Sequence, residues 1–261
     1  MNWRHFVGSS TDRAVQFLLR SLTPTRHFPA GHYYAFDIKR FYRLRKIDFQ
    51  TVIDAGANTG QTCVPLTSWF PSARIYSFEP VLGTFEKLVR NTSSHKNIRC
   101  FNCALSDREG TQIIPLMRDS ELNSLAPEPA LERQSTGAFE EVRLITLDHF
   151  CKAEGIQHID LLKLDVQGHE LQVLRGAGDL LSRVGFILTE VGFQEKQLDV
   201  SAFSSLHDFL RDRNFFFCGV YDSFRHWDAK LLVSFGNALY CNTKSFESPD
   251  LDGIPRRTPH P

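Results

Sequence analysis

The chain has 261 residues, 42% of them apolar, and its 30 Lys and Arg are matched by 30 Asp and Glu, so the formal net charge is zero. That length fits one sizeable α/β domain with additions better than two domains, and the apolar fraction suffices for a full core. The balance of charge excludes the large positive field that captures nucleic acid or anionic membrane without regard to sequence.

At the N-terminus, Arg4 and His5 lead into Gly8-Ser9-Ser10-Thr11-Asp12 with no apolar stretch of signal-peptide type between them. No apolar run approaches the length that spans a bilayer, so a soluble, cytoplasmic protein is expected. Residues Asp12 to Leu22 place Val15, Phe17, Leu18, Leu19 and Leu22 at helical spacing, and Pro24 and Pro29 then break the chain. From Tyr33 to Arg45, Tyr33, Tyr34, Phe36, Phe41 and Tyr42 alternate with Lys39, Arg40, Arg43 and Arg45. Such interleaving can stack nucleic-acid bases, but the neutral chain carries no nucleic-acid motif. The preferred reading is a second helix beside a ligand cleft, which makes residues 1–48 an N-terminal helical segment.

Thr51 to Gly60, TVIDAGANTG, reads as a strand ending on Asp54, then a glycine turn, then a helix from Gln61. Backbone N–H groups at such a turn, together with the helix dipole, suit an anionic ligand. A dinucleotide fingerprint needs a glycine in the middle of G-x-G-x-x-G, and here Asn58 stands between Gly56 and Gly60. That favours a smaller charged group, such as the amino-acid end of S-adenosylmethionine, with Asp54 taking its ammonium. A second strand, Arg74 to Phe78, is followed by Glu79, where an acid that binds ribose hydroxyls belongs. An acid there serves a nicotinamide cofactor equally well.

Helices are expected over Thr62 to Trp69 and Phe85 to Arg90, and a third strand over Ile98 to Leu105 with Ser106 beside the adenine. This alternation means parallel βαβ units. Met117 to Gly137, with Pro127 and Pro129, breaks the rhythm and reads as a lid or substrate loop contacting ligand near Asn123-Ser124-Leu125, with simple disorder as the alternative. A strand over Glu141 to Leu147 and a short helix from Asp148 follow. Ile159 to Asp165 and Gly185 to Glu190 are further strands, each ending on an acid. Since the carboxyl ends of parallel strands share one edge, Asp54, Glu79, Asp165 and Glu190 should line a single rim. Neighbouring strands lie about 4.8 Å apart, so Asp165 and Glu190 should interact. Lys163, inside an apolar strand, reads as a stem snorkelling to the rim in preference to a buried functional cation. Cys63, Cys100, Cys103, Cys151, Cys218 and Cys241 read as free thiols of a reducing compartment.

Four blocks, D-A-G-A-N-T-G at 54–60, F-E-P at 78–80, L-K-L-D-V-Q-G-H-E at 162–170 and T-E-V at 189–191, resemble the FkbM-type S-adenosylmethionine-dependent methyltransferases. The resemblance runs over roughly Phe49 to Asn242, and the 162–170 block is its specific part. That family usually carries Glu where Gln167 stands, so a charge is missing here. The resemblance implies an α/β fold of class I methyltransferase (Rossmann-like) type, with a seven-stranded, mostly parallel sheet, an antiparallel last strand and helices on both faces. Phe215 to Tyr221 and Leu231 to Asn242, joined by a turn at Asp222 to Asp228, would supply the closing strands. The methyltransferase domain would span 49–243, with 244–261, rich in proline, as a disordered tail. The cofactor set would be Asp54, Gly56, Asn58, Gly60, Glu79, Pro80, Ser106 and Asp165. The family implies methylation of hydroxyl oxygens on sugars, glycans or other natural products.

Moving a sulfonium methyl to an alcohol requires the protein to orient the oxygen and remove its proton. In one route His169, at a helix N-terminus, is the general base. In the other, Asp165 and Glu190, with Glu170, hold a magnesium-like divalent cation that acidifies the hydroxyl. Asn123, Ser124 and Glu170 are the expected acceptor contacts. A homodimer is left open, and no nucleic-acid or membrane partner is expected. Two other functions share these features: a nicotinamide-dependent oxidoreductase on the same sheet, and a partner protein that binds S-adenosylmethionine without turnover.

Overall fold

The computed structural model describes residues 33–125, 135–193, 201–225 and 233–246. The helix expected over Asp12 to Leu22 and the segment 247–261 lie outside these residues. Within them no helix is long and apolar enough to cross a membrane.

The first helix, α1 (Tyr33–Arg45), is the aromatic and basic segment of the sequence. Strands β1 (Thr51–Ala55), β2 (Arg74–Phe78) and β3 (Ile98–Phe101) then alternate with α2 (Cys63–Trp69) and α3 (Leu82–Thr92). Next come β4 (Ala104–Ser106), β5 (Gly110–Met117), a 3-10 turn at Ser120–Leu122, β6 (Ser135–Thr146) and α4 (Leu147–Glu154). The second half comprises β7 (Ile159–Leu164), α5 (Glu170–Gly176), β8 (Val184–Gly192), α6 (Phe203–Arg211), β9 (Phe215–Arg225) and β10 (Val233–Asn242).

Seven strands form one sheet in the order β3-β2-β1-β7-β8-β10-β9. The pairs through β3-β2-β1-β7-β8 are parallel, while β10 runs antiparallel to both β8 and β9. The mostly parallel sheet with an antiparallel last strand is therefore as expected, and that strand sits inside the edge rather than at it.

Strand periodicity divides the core in two. Val52, Leu161, Phe186, Leu188 and Leu239 face α1, α2 and α3, packing on Ile38, Leu66 and Leu88. Their alternates Ile53, Leu162, Ile187 and Ala238 face α4, α5 and α6, packing on Phe150, Leu174 and Leu206. Each such side chain, fully buried, contributes on the order of 1.5–3 kcal/mol. Asp160 ties α1 and the approach to β1 down, accepting bonds from Tyr42 Oη and from the amides of Gln50 and Thr51, each at 2.8 Å. Packed on the sheet through the face of Tyr34, Ala35, Ile38 and Tyr42, α1 lines none of the cavity, where a helix flanking the cleft was expected.

The single strand expected over Ile98 to Leu105 is two. Asn102 Nδ2 donates to the carbonyls of Glu79 and Pro80, at 3.0 and 2.8 Å, and the chain turns there. It enters a second, three-stranded sheet, β4-β6-β5, over its own core of Val81, Ile114, Val142 and Leu144. Periodicity misses this because both halves are apolar. It also starts β6 late, because Ser135 to Glu141 is mostly solvent-facing and carries no apolar alternation. At the other end, residues 244–246 belong to a 3-10 turn, and Ser245 Oγ donates to the carbonyls of Ser182 and Val184.

Candidate active site

A cavity of about 740 Å³ opens at the carboxyl edge of the central strands, between the β1 turn, the end of β2, the β7 turn and the segment after β5. The β1 turn is shaped by close approach. Gly56 has φ +76, and a Cβ there would lie 1.8 Å from the carbonyl oxygen of Asp165, so no other residue fits. The turn's amides do not project outward as an anion cradle. Gly56 N and Ala57 N donate to Phe78 O, Asn58 N to Glu79 Oε2, Thr59 N to Gln61 Oε1 and Gly60 N to Ala57 O. The first three lock the turn to the end of β2, the other two close it on itself, and α2 begins at Cys63 rather than Gln61. Gly56 and Asn58 line the cavity, whereas Gly60, at φ +100, only shapes the turn. Asn58 takes φ +45, which asparagine tolerates, and its Oδ1 accepts from Ser120 Oγ at 3.1 Å.

Glu79, just past β2, is 6% exposed and accepts from the amides of Asn58 and Val81 at 3.1 and 3.0 Å. Burial pushes its carboxyl up to about 7, against those two bonds, which pull it down. A carboxylate has about four acceptor directions, so the group retains capacity for two hydroxyls. Pro80 lines the cavity beside it.

Asp54 and Lys163 stand opposite each other in the β1–β7 register. Lys163 Nζ lies 3.5 Å from Asp54 Oδ1, 3.2 Å from Asp165 Oδ2 and 3.4 Å from Gly56 O. Lys163 is 4% exposed and Asp54 fully buried. Burial opposes the charge on Lys163, but Asp165 and then Asp54 outweigh it and raise the ammonium above the ordinary lysine range. Two expectations are thereby corrected. Lys163 does not snorkel, and Asp54 does not face the cavity to take a ligand's ammonium, because a buried carboxylate needs a cation of its own and Lys163 supplies it.

The turn after β7 divides its residues between two sides. Asp165 and Gln167 face the cavity, as does Glu190 from β8. Gln167 Nε2 donates to Asp165 Oδ1 at 2.8 Å and to Glu190 Oε2 at 3.2 Å, so the amide bridges the two carboxylates. His169 points away. It is 4% exposed, with Nε2 3.0 Å from Ser106 Oγ, and burial lowers its pKa to about 4. Neither His169 nor Ser106 is among the residues lining the cavity, so the geometry supports neither a general base at His169 nor an adenine contact at Ser106. Ala104 and Leu105, just before it in β4, do line the cavity. Glu170 is likewise turned inward and fully buried; Oε1 accepts from the amides of Val166 and Gly168, and Oε2 accepts from Ser201 Oγ. It braces the turn instead of touching an acceptor.

The metal route does not fit this donor set. The position between Asp165 and Glu190 holds a hydrogen-bond donor, Glu170 faces the other way, and among the described residues no group of three or more His, Cys, Asp or Glu is placed to ligate an ion.

From the segment after β5, Ser120, Glu121, Leu122, Asn123, Ser124 and Leu125 all line the cavity. Asn123 Oδ1 accepts from Met117 N at 2.8 Å, and Ser124 Oγ donates to Gln167 O at 2.6 Å, which ties this segment to the β7 turn. The remainder of the expected loop, 126–134, lies outside the described residues. Phe224 and Phe235, from β9 and β10, complete the wall. Nothing in the sequence singled them out, because their convergence depends on strand register. The departure from the family pattern at Gln167 was the available signal for the bridge.

The family model of the methyltransferase FkbM domain matches residues 54–217. The chain is 28% identical over 155 residues to the 2-O-methyltransferase NoeI of Sinorhizobium fredii, covering 55% of this chain and 64% of that protein. To the hexuronic acid methyltransferase AglP of Haloferax volcanii it is 28% identical over 147 residues, covering 53% and 54%. To the 31-O-demethyl-FK506 methyltransferase FkbM of Streptomyces tacrolimicus it is 27% identical over 191 residues, covering 63% and 69%. The chain thus spans between about half and two thirds of the length of these relatives. Among solved structures, the METTL16 MTase domain matches with a TM-score of 0.48 at 12% identity, covering 82% of this chain and 67% of that one. With its glycine turn, acidic sheet edge and β7 turn all inside the matched stretch, the chain belongs to the methyltransferase FkbM domain family.

Proposed function

We propose that the protein is an S-adenosylmethionine-dependent O-methyltransferase acting on a hydroxyl of a sugar, a glycan or another natural product. The observation that carries this reading is one cavity with two different acidic stations: Glu79 at the end of β2, and the Gln167-bridged pair Asp165 and Glu190 across β7 and β8. The 2-O-methyltransferase and hexuronic acid methyltransferase among its relatives support an oxygen acceptor and a carbohydrate.

The residues present fit the cofactor. Glu79 keeps acceptor capacity for a ribose diol, Pro80, Ala104 and Leu105 offer apolar surface, and Gly56 and Asn58 form the wall of the turn. When bound, S-adenosylmethionine supplies an electrophilic methyl group for transfer to oxygen. The chain's own part is to place the acceptor oxygen and take its proton. Asp165 is committed on both oxygens, to Lys163 and to Gln167, so it orients an acceptor hydroxyl by accepting from it. Glu190 is the proton acceptor, because protonating Asp165 would weaken its pair with buried Lys163. The Gln167 amide holds both carboxylates at hydrogen-bonding distance without adding charge.

The test is calorimetric titration of the full chain with S-adenosylmethionine and with NADH, each with magnesium and with EDTA, followed by transfer of a labelled methyl group. Binding of S-adenosylmethionine and labelled product, both insensitive to EDTA, are expected. Binding of NADH in its place would overturn the methyltransferase reading, and a requirement for magnesium would overturn the metal-free role of the pair.

A further inference from the structure

One part of the cavity wall combines features that suit one class of acceptor. Phe224 and Phe235 stack, with centroids 5.0 Å apart and planes at 17°, and both rings line the cavity. Phe224 remains 38% exposed, so its ring is open to a ligand in the cavity it lines.

The backbone departs from regular pairing to place the rings there. Val233 pairs with Arg225, Phe235 with Phe224 and Asn237 with Tyr221, with register shifts at both steps. Asp222 adopts φ +50 inside this irregularity. Gly236 permits it, since a Cβ there would lie 2.8 Å from Val220 Cγ1 and 3.2 Å from Ser223 Cα. Bulges of this kind re-aim side chains beside functional sites. Asn237, in turn, is the register partner of Glu190. Phe235, two residues away on the same face of β10, is therefore a diagonal neighbour of Glu190, within about 7–8 Å. The aromatic pair and the carboxylate pair belong to one subsite.

Charge narrows the acceptor further. Glu79, Glu121, Asp165 and Glu190 line the cavity, and Lys163, held by Asp54 and Asp165, is the one Lys or Arg among the described residues lining it. An anionic acceptor would meet like charge with no further cation among the described residues lining the cavity.

Resting on the methyltransferase reading above, we propose that Phe224 and Phe235 form a platform for the C–H face of a neutral sugar ring, whose hydroxyl edge is held by Asp165, Gln167 and Glu190. The chemistry is complementary. A pyranose ring has an apolar face of polarised C–H bonds, which suits the negative face of an aromatic ring. Its vicinal hydroxyls suit carboxylate acceptors and an amide carbonyl.

The experiment measures labelled-methyl transfer by the full chain to neutral methyl pyranosides, to the matching methyl uronosides and to an acyclic polyol, with S-adenosylmethionine binding followed calorimetrically. Neutral pyranosides are expected to give at least tenfold higher kcat/KM than uronosides and polyol. Phe224→Ala and Phe235→Ala should raise the acceptor KM about five- to tenfold, with kcat and cofactor affinity nearly unchanged. Phe224→Tyr should restore the KM, and Phe224→Leu, which keeps apolar volume at the bulge, should not. Cofactor binding with uronosides used equally well, with no pyranoside used, or with KM unmoved by Phe224→Leu would overturn this inference and leave the methyltransferase reading standing. Failure to bind the cofactor at all would remove both.

Discussion

Asp165 and Gln167 on one hand, and His169 and Glu170 on the other, lie within six consecutive residues of one turn and serve opposite sides of it. The first two open onto the cavity and hold Glu190 beside them. The other two are buried behind it, His169 against Ser106 and Glu170 against Ser201 and the turn's own amides. Three of the four, Asp165, His169 and Glu170, are residue types capable of acid–base chemistry. The difference teaches that in a tight turn the direction of the side chain, and not the chemistry of the residue, assigns the role. Here Gln167 at φ +52 and Gly168 at φ +89 reverse that direction between one pair and the other.

The largest expected effect lies on the cavity side. Glu190→Gln should lower kcat by about 10²–10⁴-fold, the usual contribution of a positioned base, and Asp165→Asn should lower it too, through lost orientation of the acceptor, with cofactor affinity changed little in both. His169→Asn should stay within tenfold of the parent in single-turnover assays. A loss at His169 equal to that at Glu190 would erase the distinction between the two sides.

Next in size is a pH effect on the buried side. His169 has its pKa lowered to about 4 from 6.5, so the folded state keeps it neutral while the unfolded chain takes up a proton. The stability due to this difference is complete above pH 6.5 and is lost as pH falls toward 4. It amounts to about 3 kcal/mol at most, from 1.36 kcal/mol per unit. Denaturant midpoints for the parent should fall across this window, and His169→Asn should show a shallower fall. Glu79 works in the opposite sense. Its pKa is raised to about 7, so its contribution is present below the ordinary carboxylate range and declines as pH rises toward 7.

Gln167→Glu sharpens the comparison on the cavity side alone. It replaces a bridging donor with a third carboxylate, and such a cluster must share a proton or attract a cation. Transfer at neutral pH should drop about 10- to 100-fold, the size of a like-charge penalty of one or two pKa units, and recover toward acid pH. A pH–rate profile identical to the parent's would show that the bridge does not matter.

The smallest effect belongs to Glu170→Gln. The amide preserves shape but loses acceptor strength toward Val166, Gly168 and Ser201, so a cost of about 1–3 kcal/mol in stability is expected. Acceptor KM should stay unchanged, and a raised KM would return Glu170 to the acceptor site.

Much of this was legible beforehand. Apolar runs bearing Asp54, Glu79, Asp165 and Glu190 at or near their carboxyl ends gave the parallel strands and placed that edge, because a strand buried on both faces must be mostly apolar. The second sheet was not legible, because β3 and β4 are equally apolar and only the bonds of Asn102 to Glu79 and Pro80 mark the change of sheet. Lys163 was misread because a cation inside a strand is explained by its register partner Asp54, and register is not visible along the chain.

The sequence by itself determined the succession of elements, the family pattern and the edge on which ligands meet the sheet, since these follow from local periodicity and from residues close together in the chain. Tertiary structure decided which acids face the cavity, which are neutralised beneath it, and that Phe224 meets Phe235 beside Glu190. Those outcomes depend on strand register, positive-φ turns and partners such as Ser106, Ser120 and Ser201, which lie tens of residues away and are brought near only by folding.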